Sequence, residues 1–319
     1  MTRKPTVCQE IEPALLSTAI GDADTATAAR VEVHTRACAP CREDLERYRS
    51  IERAVGAWHG TPAPAEEQAR AHLASRLADL RRRTFLYRIF SSPLGPILIA
   101  RSEEGVSCVE YLTGGSDFAH SRLHREESIE ALPDGAEVEA LYRDLLEYVE
   151  GRRTRLEWPL DLRLARSEFH RTVLEATARI PYGAVRSYAG IARELGKPAA
   201  TRAVAQALRW NPLPIVVPCH RVIGTSGALT GYAGNRVTLK QRLLAVEGVP
   251  AVKAGRDFRV ERDSMYVYAP DSAYCLPTCG WIASTPPHQL MLFGSRERAE
   301  AAGLEPCSDC RPDLHPISR

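Results

Sequence analysis

Nine cysteines stand in this chain of 319 residues, and their spacing constrains the fold more than any other feature. Cys8, Cys38 and Cys41 lie near the start, with His34 four positions before Cys38. Cys275, Cys279, Cys307 and Cys310 lie near the end, and only Cys108 and Cys219 stand between the two groups. The opening stretch Met1–Glu10 has no apolar core of the kind a secretory signal needs. No run of about 18 apolar residues predicts a transmembrane helix. A cytoplasmic location with no membrane partner follows, and disulfides rarely persist there. Both groups therefore read as metal clusters flanking a middle region.

Each cluster has a ligand pattern that suits zinc. Cys275-x3-Cys279 with Cys307-x2-Cys310 offers four thiolates, enough for a closed tetrahedral site. In so small a unit the metal would replace much of the missing core. At the other end, His34 and Cys38 share one helix face, and Cys38-x2-Cys41 is a common chelate; Cys8 completes the set. Two zinc ions per chain are expected, and no organic cofactor. Cys108 lies in Val106–Leu112, a strand-like run, and reads as a core thiol.

Between the clusters the pattern changes several times, which predicts a multidomain α+β chain. Residues 1–59 read as helical, with Leu45, Tyr48, Ile51 and Val55 at helical spacing. A break at residues 60–64 precedes a polar helical linker that completes the segment 60–83 and ends in three arginines. Residues 84–164 hold strand-like runs with a hairpin signal at 91–95, then a helix near 137–150. Residues 165–250 are mainly helical, with helices expected at 167–179, 187–195 and 199–210. A polar linker, 251–264, leads to the last module, 265–319. The net charge of +2 neither demands nor forbids a nucleic-acid partner.

Pro218-Cys219-His220-Arg221-Val222 is the most specific string. Three β-branched residues bury the approach, and proline stiffens the backbone beside the thiol. A thiolate is the effective sulfur nucleophile, an adjacent imidazole can take its proton, and Glu247 can polarise that imidazole. The same pair would also suit a buried structural cysteine beside an ordinary histidine. Upstream, residues 187–210 read as two helices around Gly196-Lys197-Pro198, which suits a helix-turn-helix. The second helix is rich in alanine, so it could lie close to DNA while Arg202 projects; its other face, with Val204 and Leu208, suits a core.

From Ile180 to Val249 the chain resembles the O6-alkylguanine-DNA alkyltransferase family. The landmarks are Ile180-Pro181-Tyr182-Gly183, Ser187-Tyr188, Arg202-Ala203-Val204, Asn211-Pro212, the Cys219 string, Gly231-Tyr232-Ala233-Gly234 and Glu247-Gly248. The resemblance implies a small ribonuclease-H-like α/β domain followed by a helical, winged helix-turn-helix-like DNA-binding domain. It implies double-stranded DNA carrying O6-alkylguanine as partner, with O4-alkylthymine as a second candidate lesion. It also implies a single, irreversible transfer to Cys219. In that scheme His220 removes the Cys219 proton through a water, Glu247 supports His220, and Asn211 braces the turn. Tyr188 assists base extrusion and protonates the leaving guanine, and Arg202 fills the gap in the stack. Arg221, Tyr232, Ala233 and Gly234 complete the DNA-facing set. Many relatives have serine where Ala233 stands, so one hydroxyl contact to the base is absent here.

The last module resembles the metal-binding domain of Ada-type proteins, with Glu300–Cys307 a close match. That resemblance implies that Cys275 is a second methyl acceptor, for phosphotriesters. Leu276, Gly280–Ile282 and Ser308-Asp309 replace the usual basic residues, which leaves that activity open. The first module resembles zinc-binding anti-sigma domains, which implies a sigma-factor partner; a purely structural zinc knot is the alternative. Two function classes result: an alkyl-transfer repair protein, or an alkylation- or redox-sensing transcription regulator with Cys219 as sensor.

Overall fold

The computed structural model describes residues 6–58, 64–112, 118–133, 136–234, 236–268 and 273–317. Residues 1–5 of the opening stretch and 60–63 of the break lie outside them. The chain forms two compact units that divide between Leu77 and Ala78. Among the described residues, no helix is long and apolar enough to cross a membrane.

The first unit contains α1 (Thr6–Ala19), α2 (Thr25–Ala37), α3 (Ala39–Trp58) and the start of α4 (Pro64–Arg83). Asp24 caps α2 by accepting Thr27 N–H at 2.7 Å, which sets where that helix begins. Ile11, Leu15, Val31 and Leu45 form a small core that also contains Cys8 and Cys41.

In the second unit, β1 (Thr84–Ser92), β2 (Gly95–Arg101) and β3 (Val106–Tyr111) form an antiparallel meander. Gly95 at φ +99 closes the first hairpin, and Ser92 Oγ donates to its carbonyl at 2.6 Å. β4 (Glu130–Pro133) adds to β1 in parallel; being mostly exposed, it lacked the alternation that would reveal a strand. α5 (Ala136–Val149) buries Val138, Leu145, Tyr148 and Val149, four residues on one helical stripe.

α6 (Glu168–Ala178), β5 (Ala184–Ser187), α7 (Tyr188–Glu194) and α8 (Thr201–Arg209) follow. Ser187 ends β5 and caps α7, accepting Gly190 N–H at 3.0 Å, so Tyr188 is the first residue of that helix. Pro198 opens the single 3-10 turn that leads into α8. β6 (Val222–Ile223) and α9 (Val237–Val246) complete the region.

Residues 251–264 are a hairpin rather than a bare linker. β7 (Val252–Ala254) pairs with β8 (Asp257–Arg259), and Phe258 O accepts Leu229 N–H at 2.9 Å. Its side chains stay largely exposed, so polarity alone disguised an element that docks mainly through backbone pairing. The final segment holds β9 (Tyr266–Tyr268), β10 (Ala273–Cys275), α10 (Gly280–Ala283), β11 (Met291–Phe293), α11 (Arg296–Ala301) and β12 (Glu305–Pro306). These strands continue the sheet of β5 and β6, in the order β12-β10-β9-β11-β5-β6.

Candidate active site

One side chain braces the turn that carries Cys219. Asn211 follows α8, where Pro212 and Pro214 oppose further helix. Its side-chain carbonyl accepts Leu213 N–H at 2.9 Å, while its amide donates to Val217 O at 2.9 Å and to Cys219 Sγ at 3.1 Å. Val217 N–H closes the turn onto Leu213 O at 2.8 Å. So braced, Ile215 stands at φ +76, a conformation that β-branched residues rarely adopt. Cys219 is 7% exposed. Burial raises its pKa, opposed by the Asn211 amide and the charge of Lys240.

His220 and Glu247 are wholly buried, with Nε2 and Oε1 2.6 Å apart. Burial lowers the His220 pKa more than Glu247 raises it, which favours the neutral ring, and the tautomer that suits the carboxylate donates from Nε2. Nδ1 then carries the lone pair, and among the described residues it has no partner. Burial pushes the Glu247 carboxyl up, but His220 and Arg221 together hold it down to about 2. It also accepts from the Tyr148 hydroxyl and, at 3.2 Å, from Gly183 N–H.

Arg221 is a correction to the DNA-facing set. It is buried, and its Nε donates to Glu247 Oε2 at 2.8 Å. Nη1 reaches Ile180 O at 2.5 Å, and Nη2 reaches Tyr148 Oη at 2.9 Å and Glu247 Oε1 at 3.1 Å. A buried carboxylate requires such a counter-charge, and the guanidinium is committed to that task rather than to DNA.

The other expected residues gather around the thiol. Tyr188, Arg202, Tyr232, Ala233 and Gly234 line, with Cys219, a cavity of about 360 Å³. A neighbouring cavity of about 270 Å³ shares Cys219, Ala233 and Gly234. A larger cleft, about 540 Å³, lies behind Pro218 and Arg221 and does not include Cys219. Tyr188 donates to Thr230 O at 3.4 Å, a long bond that leaves its proton easily redirected, and burial raises its pKa. Tyr232 turns inward, its hydroxyl 3.0 Å from that of Tyr111.

Sequence reasoning missed Lys240. It is wholly buried, donates to Val222 O and, at 3.1 Å, to Thr230 O, and burial lowers its pKa to about 8. The signal was its place in the stripe Lys240, Leu243, Leu244, Glu247, an apolar helix face carrying a cation. Tyr148 and Gly183 were also missed; neither residue type announces a partnership with Glu247.

Comparison with known proteins settles the family. Residues 85–162 and 168–249 match the ribonuclease-like and DNA binding domains of 6-O-methylguanine DNA methyltransferase. Residues 252–313 match the metal binding domain of Ada. A methylated-DNA–protein-cysteine methyltransferase of Methanosarcina acetivorans is 40% identical over 164 residues, covering 51% of this chain and 97% of that protein. The constitutive one of Bacillus subtilis is 39% identical over 167 residues, covering 51% and 95%. The chain belongs to the methylated-DNA–protein-cysteine methyltransferase family. A crystal structure of Mycobacterium tuberculosis OGT in complex with DNA is 37% identical, covers 51% of this chain and 92% of its own, and superposes with a TM-score of 0.44.

This methyltransferase-family chain carries a cysteine cluster on each side, in sequence, of residues 85–249. In each cluster the four donor atoms lie within 4.8 Å of one another. Cys8 Sγ is 3.7 Å from Cys38 Sγ and 3.8 Å from His34 Nε2. All nine cysteines are free thiols rather than disulfides. Sulfurs this close, with no covalent link, suit tetrahedral ligation of one metal ion per cluster. In the C-terminal cluster Cys275 is 4% exposed, and Cys310 is the more open member.

Proposed function

We propose that this chain repairs DNA by moving an alkyl group from O6 of guanine onto Cys219, once per molecule. The family's chemistry, transfer of a methyl group from methylated DNA to a protein cysteine, is the chemistry of this chain. The observation that carries the residue assignment is the thiol's setting. Cys219 opens into a base-sized cavity, accepts an N–H from Asn211, and adjoins a neutral histidine whose Nε2 is bonded to a buried carboxylate.

That geometry supports the following steps. His220 Nδ1 takes the Cys219 proton across one water, and Glu247 stabilises the imidazolium that forms. The amide of Asn211 and the charge of Lys240 favour the thiolate. Sulfur attacks the alkyl carbon opposite O6; the S–C bond forms as the C–O6 bond breaks, and its electron pair stays on guanine. Tyr188 supplies the proton that neutralises the leaving base. A thioether has no easy leaving group, so each chain acts once. The base must leave the stack to be reached, with Tyr188 and Arg202 lining the cavity where it enters and Arg202 filling the gap in the duplex. Double-stranded DNA with O6-alkylguanine is the main substrate and O4-alkylthymine a lesser one.

The donor sets, four thiolates at one end and one histidine with three thiolates at the other, support a zinc ion at each cluster. Cys275 is the candidate second methyl acceptor, to be found or excluded by peptide mapping after exposure to methyl phosphotriester DNA. The first module is the candidate docking site for a sigma factor, on the strength of its set of one histidine and three cysteines.

Incubation with an O6-methylguanine duplex, followed by mass spectrometry, tests the central claim. A gain of one methyl is expected in the wild-type chain and none in Cys219→Ala. An unchanged wild-type mass, together with capture of a purified sigma factor, would favour the regulator instead.

A further inference from the structure

The strand leading into Tyr188 is not an edge strand. β11 of the C-terminal module pairs with β5, matching Leu292 to Val185. Val185, Ile223 and Val249 share one apolar cluster with Met265 and Leu292 of that module and with Val260 just before it. The approach is close at the Glu247 turn. A Cβ on Gly294 would lie 2.2 Å from Gly248 O, so only glycine fits, and Gly294 N–H donates to Gly183 O at 2.8 Å.

Arg298, on α11, lies across Gly183, where an added Cβ would come 2.7 Å from its Cγ. Its guanidinium stands 4.5 Å from the centre of the Tyr182 ring, and that of Arg221 stands 5.6 Å from the same ring. Gly183 and Arg221 are both donors to Glu247. Arg298 therefore bears on the two groups that fix the carboxylate behind His220. At its other end α11 is fastened to the cysteine cluster. Glu300 accepts the Tyr274 hydroxyl at 2.8 Å, and Tyr274 O receives Cys307 N–H at 3.0 Å, next to the ligand Cys275.

We propose that the C-terminal metal cluster is a positioning element of the alkyl-transfer site. With the four cysteines held by metal, α11 seats Arg298 on Tyr182 and Gly183 and keeps Glu247 and His220 placed for proton removal from Cys219. Arg298 is a positioning residue, since it acts through those groups and not on substrate. The inference rests on the alkyl-transfer reading given above and adds a dependence that reading does not require.

The test uses the full chain and O6-benzylguanine as a free-base probe, which bypasses DNA binding. Alkylation of Cys219 is timed by mass spectrometry, with zinc bound and after chelation. Stripping wild type should slow the reaction about tenfold, within the range by which remote contacts modulate coupled sites. Zinc-loaded Arg298→Ala should show the same loss, and stripping that variant should add little, because both changes break one route. Arg298→Lys keeps the stem over Gly183 and a cation over Tyr182, so it should recover most of the rate. Cys38→Ser, which removes only the N-terminal ion, should react like wild type. Hydrogen exchange at the Gly183 amide should quicken on stripping. Equal slowing of wild type and Arg298→Ala by chelation, or slowing of neither, overturns the proposal. If zinc-loaded wild type reacts neither with this probe nor with the O6-methylguanine duplex, the alkyl-transfer reading is what fails; unchanged protection of Gly183 on stripping would then overturn the coupling by itself.

Discussion

Asn211 makes three hydrogen bonds with one short side chain, and each serves the same turn. The bond to Cys219 is the one that bears on chemistry, because it strengthens when sulfur is charged. Asn211→Ala is therefore expected to slow Cys219 alkylation about 10–100-fold, the equivalent of about 1.5–3 kcal/mol for a hydrogen bond to a charged group. Reaction rates on a free alkylated base check this, since binding to DNA is then not involved. The His220–Glu247 pair has a pH signature. Both groups have folded-state pKa values below their ordinary ones, and that of Glu247 falls to about 2. The unfolded chain then binds more protons than the folded one from the ordinary histidine range downward. The pair's contribution to stability should be full above about pH 6.5, decline as the unfolded histidine protonates, and fall further from about pH 4.5 toward 2. Urea titrations at about pH 7.5, 6 and 5 should show falling midpoints, with less decline across that range in His220→Gln. At this scale the nucleophile and its base were legible because their order in the chain is their order in space. Lys240, Tyr148 and Arg221 were not, because each acquires its role from a partner distant in sequence.

Helices and caps position the DNA-facing residues. Ser187 sets the first residue of α7 as Tyr188, and the turn at Pro198 directs α8 so that Arg202 lines the cavity holding Cys219. Arg202→Ala should slow repair of O6-methylguanine in duplex DNA at least tenfold more than transfer from the free base, because only the duplex has a stack to leave. Equal losses on both substrates would remove the extrusion role. Gly105 offers a test of the small sheet. It sits at φ +150, and a Cβ there would come 2.2 Å from Pro159 O, so Gly105→Ala should cost about 1–3 kcal/mol, read by denaturant unfolding. Helix periods and caps made most of these elements readable. β4 and the β7–β8 hairpin escaped because their pairing is a backbone matter with little apolar pattern behind it.

Across the molecule, two four-donor clusters frame the methyltransferase region, and each should hold one zinc ion. Metal analysis of the purified chain should give two per molecule, and chelation should lower its thermal midpoint, since the C-terminal module's core is built around Cys275, Cys279 and Cys307. A midpoint unmoved by chelation would show that the thiols pack well enough alone. Ligand spacing, the Pro218–Val222 string and the helical periods could all be read from the chain itself, because local geometry and covalent order determine which of those groups can meet. The burial of Arg221 against Glu247, the buried cation at Lys240 and the joining of β11 to β5 arise only when distant segments exclude water together. The energies that decide them, desolvation and the pairing of charge within it, do not exist until the chain has closed.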